Sequence, residues 1–200
     1  MKKIVIVAFD DFTDIDLFFM WDILGRNHID WQVRILGNKS SLRSAHGLNI
    51  HVQGALSEAN SADAVLFSSG KNGVPKAIEN ADFLSEFKLN PEKQYIGSIC
   101  AGALILNALN LLPERRATTH PDARNALLAS QLEPVGQPLV CHGRVATAGG
   151  CLSALYLVGW LIESLYDKEK RRETLLPVLP TGQQSVLESL IEFSIQQGRM

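Results

Sequence analysis

Short β-branched runs alternate along this chain with longer stretches in which apolar residues recur at helical spacing, and that rhythm admits few folds. Lys3 to Phe9 (KIVIVAF) is a continuous apolar run, the pattern of a strand covered on both faces. Thr13 to Gly25 follows, with Ile15, Leu17, Phe18, Met20, Trp21 and Leu24 at helical spacing and Gly25 as the stop. Trp31 to Leu36 and Ala64 to Phe67 read as the next strands. A glycine-bearing turn (SSGKNG), a helical stretch from Val74 to about Leu89, the strand Tyr95 to Ile99 and a helix from Ala101 to Leu109 come after them. Between Pro138 and Ala148 two short apolar runs flank His142-Gly143, which predicts a hairpin inserted before a helix over Cys151 to Tyr166. Asp167 to Arg172 (DKEKRR) reads as a charged, solvated break, Pro177 and Pro180 end any helix there, and Val186 to Gln196 predicts a terminal amphipathic helix. The β-α-β-α order predicts an α/β protein: an open, mostly parallel sheet with helices on both faces.

The 200 residues form one domain, 1–200, with a core over about 1–167 and a C-terminal extension carrying the terminal helix over about 174–200. Apolar residues are 46% of the chain and charged residues 20%, enough for a sizeable core, which excludes a disordered chain or a small disulfide scaffold. Nineteen Lys and Arg against 21 Asp and Glu give a net charge of −2, which favours neither nucleic acid nor an anionic membrane as partner. The longest apolar stretch, Cys151 to Ile162, already contains Ser153 and falls short of the roughly 20 residues that a bilayer requires. The start, MKKIVIVAFDD, lacks the long apolar core of a signal peptide. A cytoplasmic protein is therefore expected, with Cys100, Cys141 and Cys151 as reduced thiols; Cys141 and Cys151 read as core thiols in preference to a resolving partner in a disulfide switch.

In open α/β sheets ligands bind beyond the carboxyl ends of the strands. That directs attention to the turns Asp10 to Asp16, Ser68 to Gly73 and Ser98 to Gly102. Cys100 ends a strand and opens a helix, where the helix dipole and free N–H groups favour a thiolate. Its small neighbours Ser98, Ala101 and Gly102 permit a nucleophile elbow, although a free cysteine is equally at home in a core. Asp16 begins the first helix at the same sheet edge, where a carboxyl beside a thiol would share its proton. It also fits a purely structural role, as N3 of a capping box with Thr13. The string DDFTD matches an aspartate-rich magnesium-diphosphate motif, but that motif belongs in an all-helical pocket, and Asp10 and Asp11 end a strand. Backbone amides at Ser68-Ser69-Gly70, with that of Ala101, are placed to stabilise developing negative charge. A phosphate loop is not expected there, because the G-K-[ST] ending is missing. His120, before Pro121, is a candidate base or orienting group, or simply a loop histidine. His46, His51 and His142 show no ligand spacing, so no metal site is expected, and Gly149-Gly150 reads as close packing of the last long helix on the sheet.

The strings SICAGALIL, RRATTHP and VATAGG, in that order and at this spacing, resemble the ThiJ/PfpI superfamily of glutamine-amidotransferase-like folds. The resemblance runs from Met1 to about Tyr166 and is most specific over Ile96 to Gly150. It implies a flavodoxin-like sandwich, usually a homodimer, with a reactive cysteine on a strained elbow that Cys100 matches. Asp16 falls where isonitrile hydratases of this superfamily carry their active-site aspartate, Gly70 matches the oxyanion-side glycine, and His120 matches a histidine near the site, often at the dimer interface. Ala101 departs from the histidine of the peptidase-like branch, which leaves no obvious base for peptide hydrolysis, and from the threonine common in isonitrile hydratases. The elbow Cys100-Ala101-Gly102 resembles the deglycase and stress-response branch. The function implied is a cofactor-free cysteine enzyme hydrating a small isocyanide. The alternatives are a glyoxalase or deglycase on α-oxoaldehydes, or an oxidative-stress sensor in which Cys100 becomes a sulfinate. This fold also serves as the sensory half of transcription regulators, but one short terminal helix leaves no room for a helix-turn-helix domain.

Overall fold

In the computed structural model, which describes residues 1–112 and 114–199, the N-terminal half runs β1 (Lys2–Val7), α1 (Asp14–Gly25), β2 (Trp31–Gly37), β3 (Ser41–Arg43), β4 (Asn49–His51), β5 (Gly54–Ala55), β6 (Ala64–Phe67), α2 (Gly73–Glu79), α3 (Ala81–Ser85) and β7 (Tyr95–Ile99). It continues with α4 (Ala103–Ala108), β8 (Arg116–Ala117), α5 (Arg124–Ala129), β9 (Glu133–Pro134), β10 (Leu139–His142), β11 (Val145–Ala148), α6 (Ala154–Leu165), α7 (Lys168–Leu175) and α8 (Gln184–Gly198). Seven strands form the central sheet in the order β10-β11-β7-β6-β1-β2-β5. Every pairing in it is parallel except β10 with β11. The run β2-β1-β6-β7-β11 follows the flavodoxin-like strand order, so the α/β architecture is the one the alternating pattern predicts.

The apolar strands separate two cores by their period of two. Ile4 and Ile6 of β1 pack into one with Leu17, Met20 and Leu24 of α1, Leu157 and Trp160 of α6, and Ile191 and Ile195 of α8. Val5 and Val7 pack into the other with Val74 of α2, Phe83 of α3, Ile105 of α4 and Leu127 of α5. The chain passes from β1 to β2 on one side and to β6 on the other. The connections leaving β1 and β6 therefore diverge to opposite faces, and a crevice opens between them at the carboxyl edge.

Three local expectations are corrected. The stretch Val74 to Leu89 breaks into α2 and α3 at Asn80, which is extended (φ −89°, ψ 101°) and whose side chain accepts from the Phe83 N–H at 3.1 Å. The charged run DKEKRR is helical: Asp167 caps α7 by accepting from the Lys170 N–H at 2.7 Å. Arg171, 0% exposed, lies between Glu163 and Glu188, so one of the run's charges closes a buried ion triad. The hairpin β10-β11 forms with Gly143 at φ 61° in its turn, but β11 is no insertion. It runs parallel beside β7, with Val145 opposite Ile96 and Ala148 opposite Ile99. Two matched four-residue apolar runs disguised a sheet strand as a self-contained hairpin. No helix among the described residues is long and apolar enough to cross a membrane.

Candidate active site

Four neighbouring strands deliver their C-terminal loops to one place: Asp16 follows β1, Ser69 follows β6, Cys100 follows β7 and Cys151 follows β11. They meet in a pocket of about 240 Å³ whose polar lining also includes Thr13, Lys71 and His120, and whose apolar lining is Val74, Pro75, Leu104 and Ala126. A larger groove of about 870 Å³ between α7 and α8 is lined by charged and polar side chains such as Glu169, Arg172 and Glu188, and holds no cysteine or histidine.

Cys100 has φ 51°, a left-handed conformation disfavoured for a side chain with a Cβ. Strain of this kind is held only where the surroundings over-determine it. Here the Thr119 hydroxyl donates to the Cys100 carbonyl at 2.9 Å, and the Ala101 N–H donates to Ser69 Oγ at 3.1 Å. Gly149 lets this clamp close, because a Cβ on it would stand 2.4 Å from Thr118 Oγ1 and 2.7 Å from the Thr119 carbonyl oxygen. Its close approach is to the Thr118–Thr119 loop, a different partner from the helix-to-sheet packing expected of it.

Asp16 shares the buried stripe of α1 with Leu17, Met20, Ile23 and Leu24. The apolar spacing of the helix thus carries a carboxyl inward. The capping box does not form, since Thr13 makes no side-chain cap bond and the Asp16 carboxyl turns to the pocket. Cys100 Sγ donates to Asp16 Oδ1 at 3.6 Å and lies 3.9 Å from Cys151 Sγ. Asp16 is 1% exposed and Cys100 2%. Burial pushes the Asp16 carboxyl above its ordinary range, while hydrogen bonds from Cys151, Cys100 and Ser69 and the charge of His120 oppose the shift. Burial likewise pushes the Cys100 thiol up, and the Asp16 charge pushes it further. The expectation that a helix N-terminus would favour the thiolate is therefore corrected. A single 3-10 turn, Cys100–Gly102, precedes the six-residue α4, and the first amide goes to Ser69 and not to sulfur.

Of the other candidates, Gly70 packs against the chain after β1: a Cβ there would stand 2.3 Å from the Asp11 carbonyl oxygen and 3.2 Å from Phe12 Cα. Its neighbour Ser69 lines the pocket in its place. His120 lines the pocket, with its Nδ1 accepting from the Asp122 N–H at 3.2 Å. The three aspartates of DDFTD have separate partners: Asp10 pairs with Lys39, Asp11 with Lys76 and Asp14 with His46. From the α1 end only Thr13 and Asp16 line the pocket, and residues 174–184 contribute nothing to it. Cys141 is a core thiol, pushed up to about 12 by burial. Cys151, expected in the core beside it, lines the pocket. Sequence reasoning named Ser69 for its backbone amide and missed its side chain, and it took Cys151 for a core thiol; the signal for Cys151 was its place just after β11, once β11 is read as a sheet strand. Among the described residues Asp16, Cys100 and Cys151 form the one group of three possible metal ligands, their donor atoms all within 4.8 Å. Burial pushes the Cys100 and Cys151 thiols up, so an ion would have to displace their protons.

A flavodoxin-like sheet with a buried cysteine on a strained elbow, opposite a carboxyl from the first helix, defines a class of cysteine-dependent α/β proteins. The chain belongs to the DJ-1/PfpI family, which it matches over residues 2–164. It is 24% identical over 159 residues to an isonitrile hydratase of Pseudomonas putida, covering 76% of this chain and 67% of that one. It is also 24% identical over 173 residues to Protein DJ-1 homolog A of Arabidopsis thaliana, covering 84% of this chain and 43% of the plant protein, so the chain spans less than half of that relative. Among solved structures, a ThiJ/PfpI family protein from Pseudomonas syringae superposes with a TM-score of 0.80 at 20% identity, covering 98% of this chain and 88% of that one. The family includes enzymes, an isonitrile hydratase among them.

Proposed function

We propose that the protein is a cofactor-free isonitrile hydratase, adding water to a small isocyanide to give an N-substituted formamide. The observation that carries this reading is the buried contact of Cys100 Sγ with Asp16 Oδ1 at 3.6 Å, in a small pocket with an apolar wall. An isocyanide is uncharged, narrow and electrophilic at its terminal carbon, so it suits such a space. Asp16 takes the Cys100 proton, and the sulfur attacks the terminal carbon of R–N≡C. Asp16 then returns that proton to the carbon, leaving a thioimidate, R–N=CH–S–Cys100. Asp16, again a carboxylate, draws a proton from water as the water oxygen adds to the same carbon, and the nitrogen is protonated. Asp16 supplies that nitrogen proton, and collapse of R–NH–CH(OH)–S–Cys100 then expels the Cys100 thiolate while the hydroxyl proton passes to Asp16, which releases R–NH–CHO. The Ser69 hydroxyl accepts from the Ala101 amide and bonds the Asp16 carboxyl, which helps to hold it, while His120 lines the pocket beside them and Gly70 supports Ser69 by packing against the chain after β1. In this reading the protein works in the cytoplasm as a homodimer, on a small molecule, without nucleic acid or membrane.

Formamide production by wild type, Cys100→Ser and Asp16→Asn tests the assignment. Cys100→Ser abolishes turnover, and Asp16→Asn lowers it by a factor of roughly 10² or more, the usual worth of a positioned acid–base group. A near-normal rate in either variant overturns the mechanism. A second reading, glyoxalase chemistry on small α-oxoaldehydes, is favoured by Ala101, which brings no hydroxyl to the elbow. Lactate formed from methylglyoxal without glutathione, in place of formamide formed from isocyanide, selects it.

A further inference from the structure

Cys151 is the nucleophile in the pocket that the hydration reaction does not use. Its sulfur lies 3.9 Å from that of Cys100, at van der Waals contact with no atom between them. Their strands are adjacent and parallel, Ile99 standing opposite Ala148; Cys100 follows its strand directly, and Cys151 follows its own after the Gly149-Gly150 turn. Neighbouring strands are about 4.8 Å apart, a separation that a disulfide spans. Cys151 also stands on a short 3-10 turn ahead of α6, just after Gly150 at φ 87°. Closing the sulfurs to about 2.0 Å therefore asks for side-chain rotation and a shift of that turn, not the breaking of a helix.

We propose that Cys151 is a resolving thiol: on exposure to hydrogen peroxide, Cys100 and Cys151 join in a reversible disulfide within the pocket. This rests on the reading of Cys100 as the reactive cysteine, but not on isocyanide as substrate. The Cys100 sulfur, its proton passed to Asp16, attacks one peroxide oxygen and becomes the sulfenic acid Cys100–S–OH; the other oxygen leaves and is protonated to water. The Cys151 sulfur then gives up its proton to Asp16 and attacks the sulfenic sulfur. The hydroxyl leaves with the proton that Asp16 holds, as a second water. Two thiols lose two electrons and two protons, and one peroxide becomes two waters. The consequence is protective. Cys100 alone would go on to the sulfinic acid, which thiols do not reverse, whereas the disulfide returns to the active dithiol with dithiothreitol.

Peroxide treatment of the full chain, followed by intact mass and peptide mapping, tests this directly. Wild type loses the mass of two hydrogens, yields a cross-linked Cys100–Cys151 peptide and recovers its starting mass with dithiothreitol. Cys141→Ser behaves the same way, while Cys151→Ser gains two oxygens at Cys100 and does not recover. Cys100→Ser leaves Cys151 reduced, because the first oxidation is at Cys100. Wild type that gains two oxygens at Cys100 as fast as Cys151→Ser, with no cross-linked peptide, overturns the proposal. The readout is covalent mass, so a disulfide without formamide production defeats only the hydratase reading, and formamide production without a disulfide defeats only this one.

Discussion

Replacing Asp16 by asparagine should make Cys100 more reactive toward a simple alkylating agent while making the enzyme slower. Cys100 Sγ and Asp16 Oδ1 are 3.6 Å apart and both are buried. Two unit negative charges at that separation repel by roughly 4–5 kcal/mol at an effective dielectric of about 20. That repulsion is present whenever the carboxylate and the thiolate coexist, and it is the second cause, after burial, of the raised Cys100 thiol. Asparagine keeps the shape and removes the charge. If water and relaxation leave only a third of the repulsion, the thiolate population still rises by a factor of about ten. Iodoacetamide labelling at pH 8, mapped by mass spectrometry with Cys141 as the internal reference, should therefore run at least about tenfold faster at Cys100 in Asp16→Asn. Isocyanide hydration by the same variant should fall, because the proton that must reach carbon has lost its carrier. Slower or unchanged labelling in Asp16→Asn would refute the electrostatic reasoning, since Asp16 would then be activating the resting sulfur or not sensing it.

The same variant reports on stability. Burial raises the Asp16 carboxyl in the folded state, so its contribution is complete below the unfolded carboxyl value of about 3.9 and is lost as pH rises through the folded one. Asp16→Asn should accordingly melt higher than wild type at neutral pH, with the advantage fading in acid; an equal or lower Tm at pH 7 contradicts this. Gly70→Ala drives a methyl to 2.3 Å from the Asp11 carbonyl oxygen, an overpacking worth about 1–3 kcal/mol. Calorimetry should show a Tm lower by several degrees at roughly 2–4 °C per kcal/mol, and an unchanged Tm would mean that the two loops are not packed as described. Arg171→Met removes the buried partner of Glu163 and Glu188, which keep only the more exposed Arg199 and Arg172, and should cost up to about 3 kcal/mol in urea unfolding while leaving Cys100 labelling unaltered; a loss of labelling would tie the triad to the pocket.

Much of the fold is written in local pattern, and the site only partly so. Continuous apolar runs give β1, β6 and β7 their places because a parallel strand covered on both faces can be little else. Cys100 is found by its position between such a run and a helix. Asp16 was legible in two ways, as a cap and as a proton carrier, and the deciding fact was present in the spacing: Asp16, Met20 and Ile23 lie on one helical face. Ser69 and Cys151 are different. Each reaches the pocket only when β6, β7 and β11 stand side by side, a pairing across dozens of residues that no local period records. Arg171 was hidden for the converse reason, since a run of charges reads as solvated until a third helix, α8, brings Glu188 over it.

The most direct test of the central claim, that the Cys100 sulfur bonds to the isocyanide carbon, is an acid quench of the protein during turnover, followed by intact mass and peptide mapping. The account predicts a species heavier than the free protein by the mass of the isocyanide. It should be confined to the peptide bearing Cys100 and missing from Cys100→Ser. Formamide released with no such species in either wild type or Asp16→Asn, or an adduct on Cys151 that persists in Cys100→Ser, would contradict it.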